Sequence, residues 1–201
     1  GPKRKRSAPV GPDAVRRAVL ESAARLFAEE GVAHVSLRDI ADAADVQLAL
    51  IGRYVGIRDE VIDQVFHLVN AQAAADIVAH PLEQLATGRD SSIGRWLALL
   101  THYSTVGDRP PSDGPNPVRS LAAVLESVFG LDQQTAGIRS AQIAASALGW
   151  RLFETYLVDA ADIDELGVDT LRSDLNSIQR LIGSTTWPTP RRGDSTTRRP
   201  G

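Results

Sequence analysis

The stretch from Ser36 to Val61, SLRDIADAADVQLALIGRYVGIRDEV, constrains this chain more than any other. Ser36 is a natural N-cap, and Asp39 three residues on can bond back to it, a capping box with Asp in place of the preferred Glu. Leu37, Ile40, Ala41 and Ala44 then recur at helical spacing and give one short apolar face. Asp45 suits the turn, because Asp tolerates a left-handed backbone better than most non-glycine residues. A second helix starts at about Gln47, with Val46, Ile51 and Val55 as its inward anchors. Helices this short are marginal alone in water and must pack on neighbours. A compact pair of this kind is what a helix-turn-helix requires.

The flanks supply those neighbours. Asp13 to Glu30 reads as a helix with Val15, Val19, Ala23, Leu26 and Phe27 on one stripe, Arg16, Arg17, Glu21, Arg25 and Glu29 on the other, and Gly31 as its stop. A long helix runs from about Arg58 to His80, carrying Val61, Ile62, Val65, Phe66, Val69, Ala73 and Ile77, and Pro81 ends it. Leu82 to Ala86 fits a short helix. Ser91 or Ser92 caps the next, which holds Ile93, Trp96, Leu97, Leu100 and Tyr103. The Pro- and Gly-rich segment 107–117 is a loop, after which Asn116 caps a helix starting at Pro117 and ending at Gly130. Residues 132–159 form a helix that is apolar on nearly every side, an expectation of burial on more than one face. A final helix, about Val168 to Ile182, keeps Leu171, Leu175, Ile178 and Ile182 on one stripe. The expected fold class is therefore all-α.

The 201 residues allow a sizeable core, and 43% hydrophobic with 23% charged residues is ordinary for a globular chain. The absence of cysteine excludes disulfides and thiolate metal sites. No apolar run approaches the roughly 20 residues of a membrane span. Gly1-Pro2 reads as the scar of a removed tag, and no apolar segment of a signal peptide follows it. The net charge of −3 hides a segregation. Lys3, Arg4, Lys5 and Arg6 make the first twelve residues basic, while residues 63–183 hold eight basic and fifteen acidic residues. The tail beyond residue 184 is again basic. A basic arm beside a helix-turn-helix can add phosphate or minor-groove contacts, and a plain solvated tail is the alternative.

Residues 13–61 resemble the DNA-binding domain of the TetR family of bacterial transcriptional regulators. The resemblance lies in Ala24-Arg25-Leu26-Phe27-Ala28-Glu29-Glu30-Gly31, in Ser36-Leu37-Arg38-Asp39-Ile40-Ala41, in the Ala44-Asp45-Val46 turn and in Arg58-Asp59-Glu60-Val61. The chain departs from the pattern at Asp45, where the family has Gly, at the apolar Leu48 and Leu50, at Gly52 in place of an aromatic, and at Val55 and Ile57. The resemblance implies DNA contacts from Arg38, Gln47, Leu48, Ala49, Leu50, Gly52, Arg53 and Tyr54, with Arg58 holding a phosphate. Chemistry agrees in part. Arg38 and Arg53 can donate two bonds to guanine, Gln47 can read adenine, and Leu48 and Leu50 can pack on thymine methyls if they are exposed. Tyr54 suits a phosphate contact and the core equally. Arg58 opposes the dipole of its own helix, which an external phosphate would explain.

These readings give a basic arm (1–12), a helix-turn-helix domain (13–60), a helical effector-binding and dimerisation domain (61–185) and a disordered tail (186–201). The expected function is that of a dimeric repressor of a palindromic operator in double-stranded DNA, released by a small apolar effector, in the bacterial cytoplasm at the nucleoid. A constitutive architectural DNA-binding protein is the alternative. Ser146 and Gly149, with Leu171, Leu175, Ile178 and Ile182, are the expected dimer surface. Trp96, Leu100, Tyr103, Phe129, Trp150 and Phe153 are the expected effector pocket, unless these aromatics simply fill the core. No charged residue is expected on an inward face. His34, His67, His80 and His102 share no ligand spacing, and the acidic residues 159–169 fit no calcium loop, so no metal or other cofactor is expected. No phosphate-binding loop or nucleophile elbow points to an enzyme.

Overall fold

The computed structural model describes residues 9–80 and 91–164, together with Gly167, Val168, Thr170, Asp174, Ser177, Leu181 and Ile182, which are helical. Among the described residues there are seven continuous helices and no strand. They are α1 (Pro12–Glu30), α2 (Leu37–Ala44), α3 (Leu48–Tyr54), α4 (Arg58–Ala79), α5 (Ser92–Val106), α6 (Pro117–Phe129) and α7 (Gln133–Ala160). The basic arm residues Lys3 to Arg6, the segment Leu82–Ala86, Leu171, Leu175, Ile178 and the tail from 186 lie outside the described residues.

Local signals set most helix ends. Pro12, expected in the arm, is instead the first residue of α1, where a missing N–H costs nothing and its fixed φ suits the helix. Asn116 Oδ1 accepts from the Val118 and Arg119 N–H groups and starts α6. Asp132 accepts from the Thr135 hydroxyl at 2.6 Å and from Thr135 N at 3.0 Å and starts α7, and these bonds hold its carboxyl below the usual range. Of the two candidate serines, Ser91 caps α5, accepting from Gly94 N at 2.9 Å. The α4 helix ends at Ala79 with His80 as its cap.

The helices share one continuous core. The expected α1 stripe of Val15, Val19, Ala23, Leu26 and Phe27 is buried, against Ile40, Ala41 and Ile51 from α2 and α3. Val61, Val65, Phe66, Val69 and Ala73 run along α4, which packs on α1, α5 and α6. Trp96, Leu97, Leu99 and Tyr103 of α5 and Leu121, Val124 and Leu125 of α6 complete it. Tyr103 donates to Asp63 Oδ1 at 2.6 Å and its ring meets Phe66 edge-on at 5.2 Å.

Two expectations about α7 fail. Its buried residues form one face, Ala136, Arg139, Ser140, Ile143 and Ala147, so the described residues do not sheathe the helix all round. Ile138, Leu152, Phe153, Tyr156 and Leu157 are exposed instead. A charged residue also lies inward: Arg139 is only 8% exposed and donates to Gln142 Oε1 at 3.0 Å.

Candidate nucleic-acid interface

The reading head is built from short-range bonds. Ser36 and Asp39 close the capping box: Asp39 N donates to Ser36 Oγ at 3.2 Å, and Ser36 N donates to Asp39 Oδ2 at 2.8 Å. The Ser36 hydroxyl adds a bond at 2.7 Å, and together these hold the Asp39 carboxyl below its usual range. Asp45 takes the left-handed conformation, φ 55°, and closes α2 through bonds to the Ala41 and Asp42 carbonyls. Asp therefore does here what glycine does in the family pattern. Gln47 is the N-cap residue of α3.

The far end of α3 is tied to α4. Gln64 Nε2 donates to Val55 O at 2.8 Å, and Glu60 Oε2 accepts from Ile57 N at 2.8 Å. Gly56, at φ 127°, sits where a Cβ would collide with the Glu60 carboxylate, so this turn requires glycine.

Burial fixes the rotation of α3. Ile51 is fully buried and Val55 is buried, as expected, while Val46 is half-buried against the core. Gln47, Ala49, Gly52 and Arg53 are exposed, as is Leu48 at 43%. Leu50 and Tyr54 are half-buried at the edge and pack on the core. The Arg53 guanidinium lies 5.3 Å from the Tyr54 ring centroid, a cation–π arrangement that steadies an exposed arginine. Arg38 is exposed on α2. Nothing stands within 4 Å of the place a Gly52 side chain would occupy, so that side of α3 is open.

Arg58 is different. It is half-buried, and its guanidinium donates to Val35 O and Val32 O, each at 2.5 Å. Two of its five N–H donors are thus engaged by the chain's own carbonyls, a partnership that the expected phosphate contact did not include. The acceptors lie more than twenty residues away in sequence, out of reach of a local pattern.

The six expected pocket residues differ in burial. Trp96 and Tyr103 are buried, Leu100 and Trp150 are half-buried, and Phe129 sits at the exposed end of α6. Phe153 is 55% exposed and Tyr156 69%. The last turns of α7 thus present an apolar surface. Of the expected dimer residues, Ser146, Gly149 and Ile182 are half-buried. Sequence reasoning missed Leu152, Tyr156 and Leu157 as surface, although the all-round apolarity of α7 was their signal. It also missed Asn70, buried within α4, whose Nδ2 donates to Pro115 O at 2.6 Å.

A short capped helix, a tight left-handed turn, and a second helix anchored inward with polar and basic residues outward define a helix-turn-helix DNA-binding protein. Residues 19–62 match the family model described as "Bacterial regulatory proteins, tetR family". The HTH-type transcriptional repressor Rv3405c of Mycobacterium tuberculosis (strain H37Rv) is 34% identical, over 89% of this chain and 94% of its own length. The HTH-type transcriptional regulator Mb3439c of Mycobacterium bovis matches with the same identity and coverage. The chain belongs to the TetR family of bacterial transcriptional regulators. Among solved structures, a TetR-family regulator from Streptomyces coelicolor (SCO0857) is 22% identical with a TM-score of 0.39, covering 92% of this chain and 100% of that one. NalD from Pseudomonas aeruginosa, the secondary repressor of the MexAB-OprM multidrug efflux pump, is 20% identical with a TM-score of 0.44, covering 85% and 96%. Among the described residues no helix is long and apolar enough to cross a membrane.

Proposed function

We propose that this regulator is a dimeric repressor that reads a palindromic DNA operator with the outer face of α3. The observation that carries the proposal is the division of α3: Ile51 fully buried, Gln47, Leu48, Ala49, Gly52 and Arg53 outward. Arg53 would read guanine, Gln47 adenine or phosphate, and Leu48 a thymine methyl. The open side at Gly52 lets a phosphate approach the helix backbone. Arg38 would contribute from α2, and Leu50 and Tyr54 border the contact.

A palindrome reader needs a two-fold interface. The exposed Leu152, Phe153, Tyr156 and Leu157 on α7 support a second copy as their cover, beside Ser146, Gly149 and Ile182. A small apolar effector would act around Trp96 and Leu100 of α5, which packs against α4, and Trp150 of α7, which packs against α5. It would release DNA by favouring one arrangement of α4, and a tenfold loss of operator affinity needs a difference of about 1.4 kcal/mol. Selection of bound sequences from random duplex DNA tests the reading. It should return inverted repeats whose half-sites lie one helical turn or more apart. Protein that shows no preference over random duplex at moderate salt contradicts it.

A further inference from the structure

The connector between α1 and α2, residues 31–36, is held by side chains from elsewhere in the chain. Val32 and Val35 are buried, and their carbonyls accept the two terminal nitrogens of Arg58. Arg58 is the first residue of α4, where a positive charge opposes the helix dipole. Asp59 and Glu60 in the same turn offset that cost. A planar guanidinium can bridge two acceptors at once, which a single ammonium on a flexible stem does poorly. A second guanidinium reaches the same region from α7: Arg151 Nη2 donates to Ala28 O at 3.4 Å.

This clasp sits at the entrance to the reading head. Val35 directly precedes Ser36, the N-cap of α2. A shift of the Val35 carbonyl therefore moves the start of α2, and α2 carries α3 through the rigid Asp45 turn. We propose that Arg58 is a positioning residue: its two-carbonyl clasp sets the angle of the α2–α3 pair on α4 and so aims α3, and it neutralises no DNA phosphate. The proposal rests on the DNA-reading role of α3.

The experiment compares wild type, Arg58→Ala and Arg58→Lys at temperatures well below unfolding. Specific affinity is measured on a selected operator, non-specific affinity on random duplex, both across a salt series. Amide hydrogen exchange over residues 32–40 is followed in parallel. The clasp predicts that specific affinity falls about tenfold or more in both variants, the scale of one misplaced base contact. Non-specific affinity stays, the salt slope is unchanged, Lys does not rescue, and amides 32–40 exchange faster. A phosphate contact predicts the reverse pattern: Arg58→Ala weakens all DNA alike and lowers the salt slope by about 0.9, and Lys restores both. That result overturns the proposal, as does an equal fall in specific and non-specific binding with no change in slope, the mark of a residue that merely keeps the protein folded. If the wild-type protein prefers no sequence, the DNA reading fails by itself. The clasp is then decided by exchange alone: faster exchange over 32–40 in Arg58→Ala supports it, and unchanged exchange overturns it.

Discussion

Two substitutions about one turn apart on α3 test which of its apolar residues belongs to the core. Ile51 is fully buried between α1 and α2, whereas Leu48, about one turn earlier, is 43% exposed. Ile51→Ala removes three carbon groups from a packed site. At about 0.8 kcal/mol each the transfer loss alone is about 2.4 kcal/mol, and the cavity left behind adds to it. A total of about 2.5–4 kcal/mol is expected, a large fraction of the stability of an ordinary domain. Leu48→Ala removes a side chain that is nearly half in water, and its expected cost is below about 1 kcal/mol. The two effects should separate further in function. Urea unfolding should move its midpoint strongly for Ile51→Ala and little for Leu48→Ala, with unchanged slopes. Operator binding by the folded Leu48→Ala protein should lose its preference at one apolar base contact. If Leu48→Ala destabilises the protein as much as Ile51→Ala, Leu48 belongs to the core and not to the outward face described here.

Phe153→Glu and Tyr156→Glu should give monomers in sedimentation with weakened operator binding, because a charge would be buried in the apolar surface of α7; variants that remain fully dimeric would move the interface elsewhere. His102 has its pKa lowered from 6.5, first by burial and then by the nearby Arg58 charge. Its neutral form is favoured in the folded state, so its contribution to stability is full above pH 6.5 and is lost as pH falls through the lowered folded value. Thermal melts should therefore show a decline below pH 6.5 that His102→Gln reduces, and an identical pH profile in that variant would count against it. Trp150→Ala should weaken the response to an apolar effector scored by operator release; unchanged effector affinity would place the pocket elsewhere.

What was legible in the sequence was local. Ser36 with Asp39, Asn116, Gly130 and Asp132 each act within a few residues, and the structure uses each as a helix boundary. The inward role of Ile51 and Val55 followed from helical spacing. The role of Arg58 did not, because its acceptors at Val32 and Val35 are brought to it only by the packing of α1 on α4. The outward turn of Phe153 and Tyr156 was equally hidden. Hydropathy shows that a side chain will be covered but not whether its own chain or another copy covers it. Leu48 and Leu50 look alike in sequence, yet Leu48, the first residue of α3, is exposed and Leu50 packs on the core.

The account turns on base reading by the outer face of α3, and Arg53 is its most direct probe. The measurement is a binding titration of wild type and Arg53→Ala on the selected operator and on duplexes altered at each base pair in turn. Arg53→Ala should lose about 1–3 kcal/mol on the operator and become indifferent to the base at one position in each half-site, with the other preferences kept. An Arg53→Ala protein that keeps every base preference of the wild type would contradict the account.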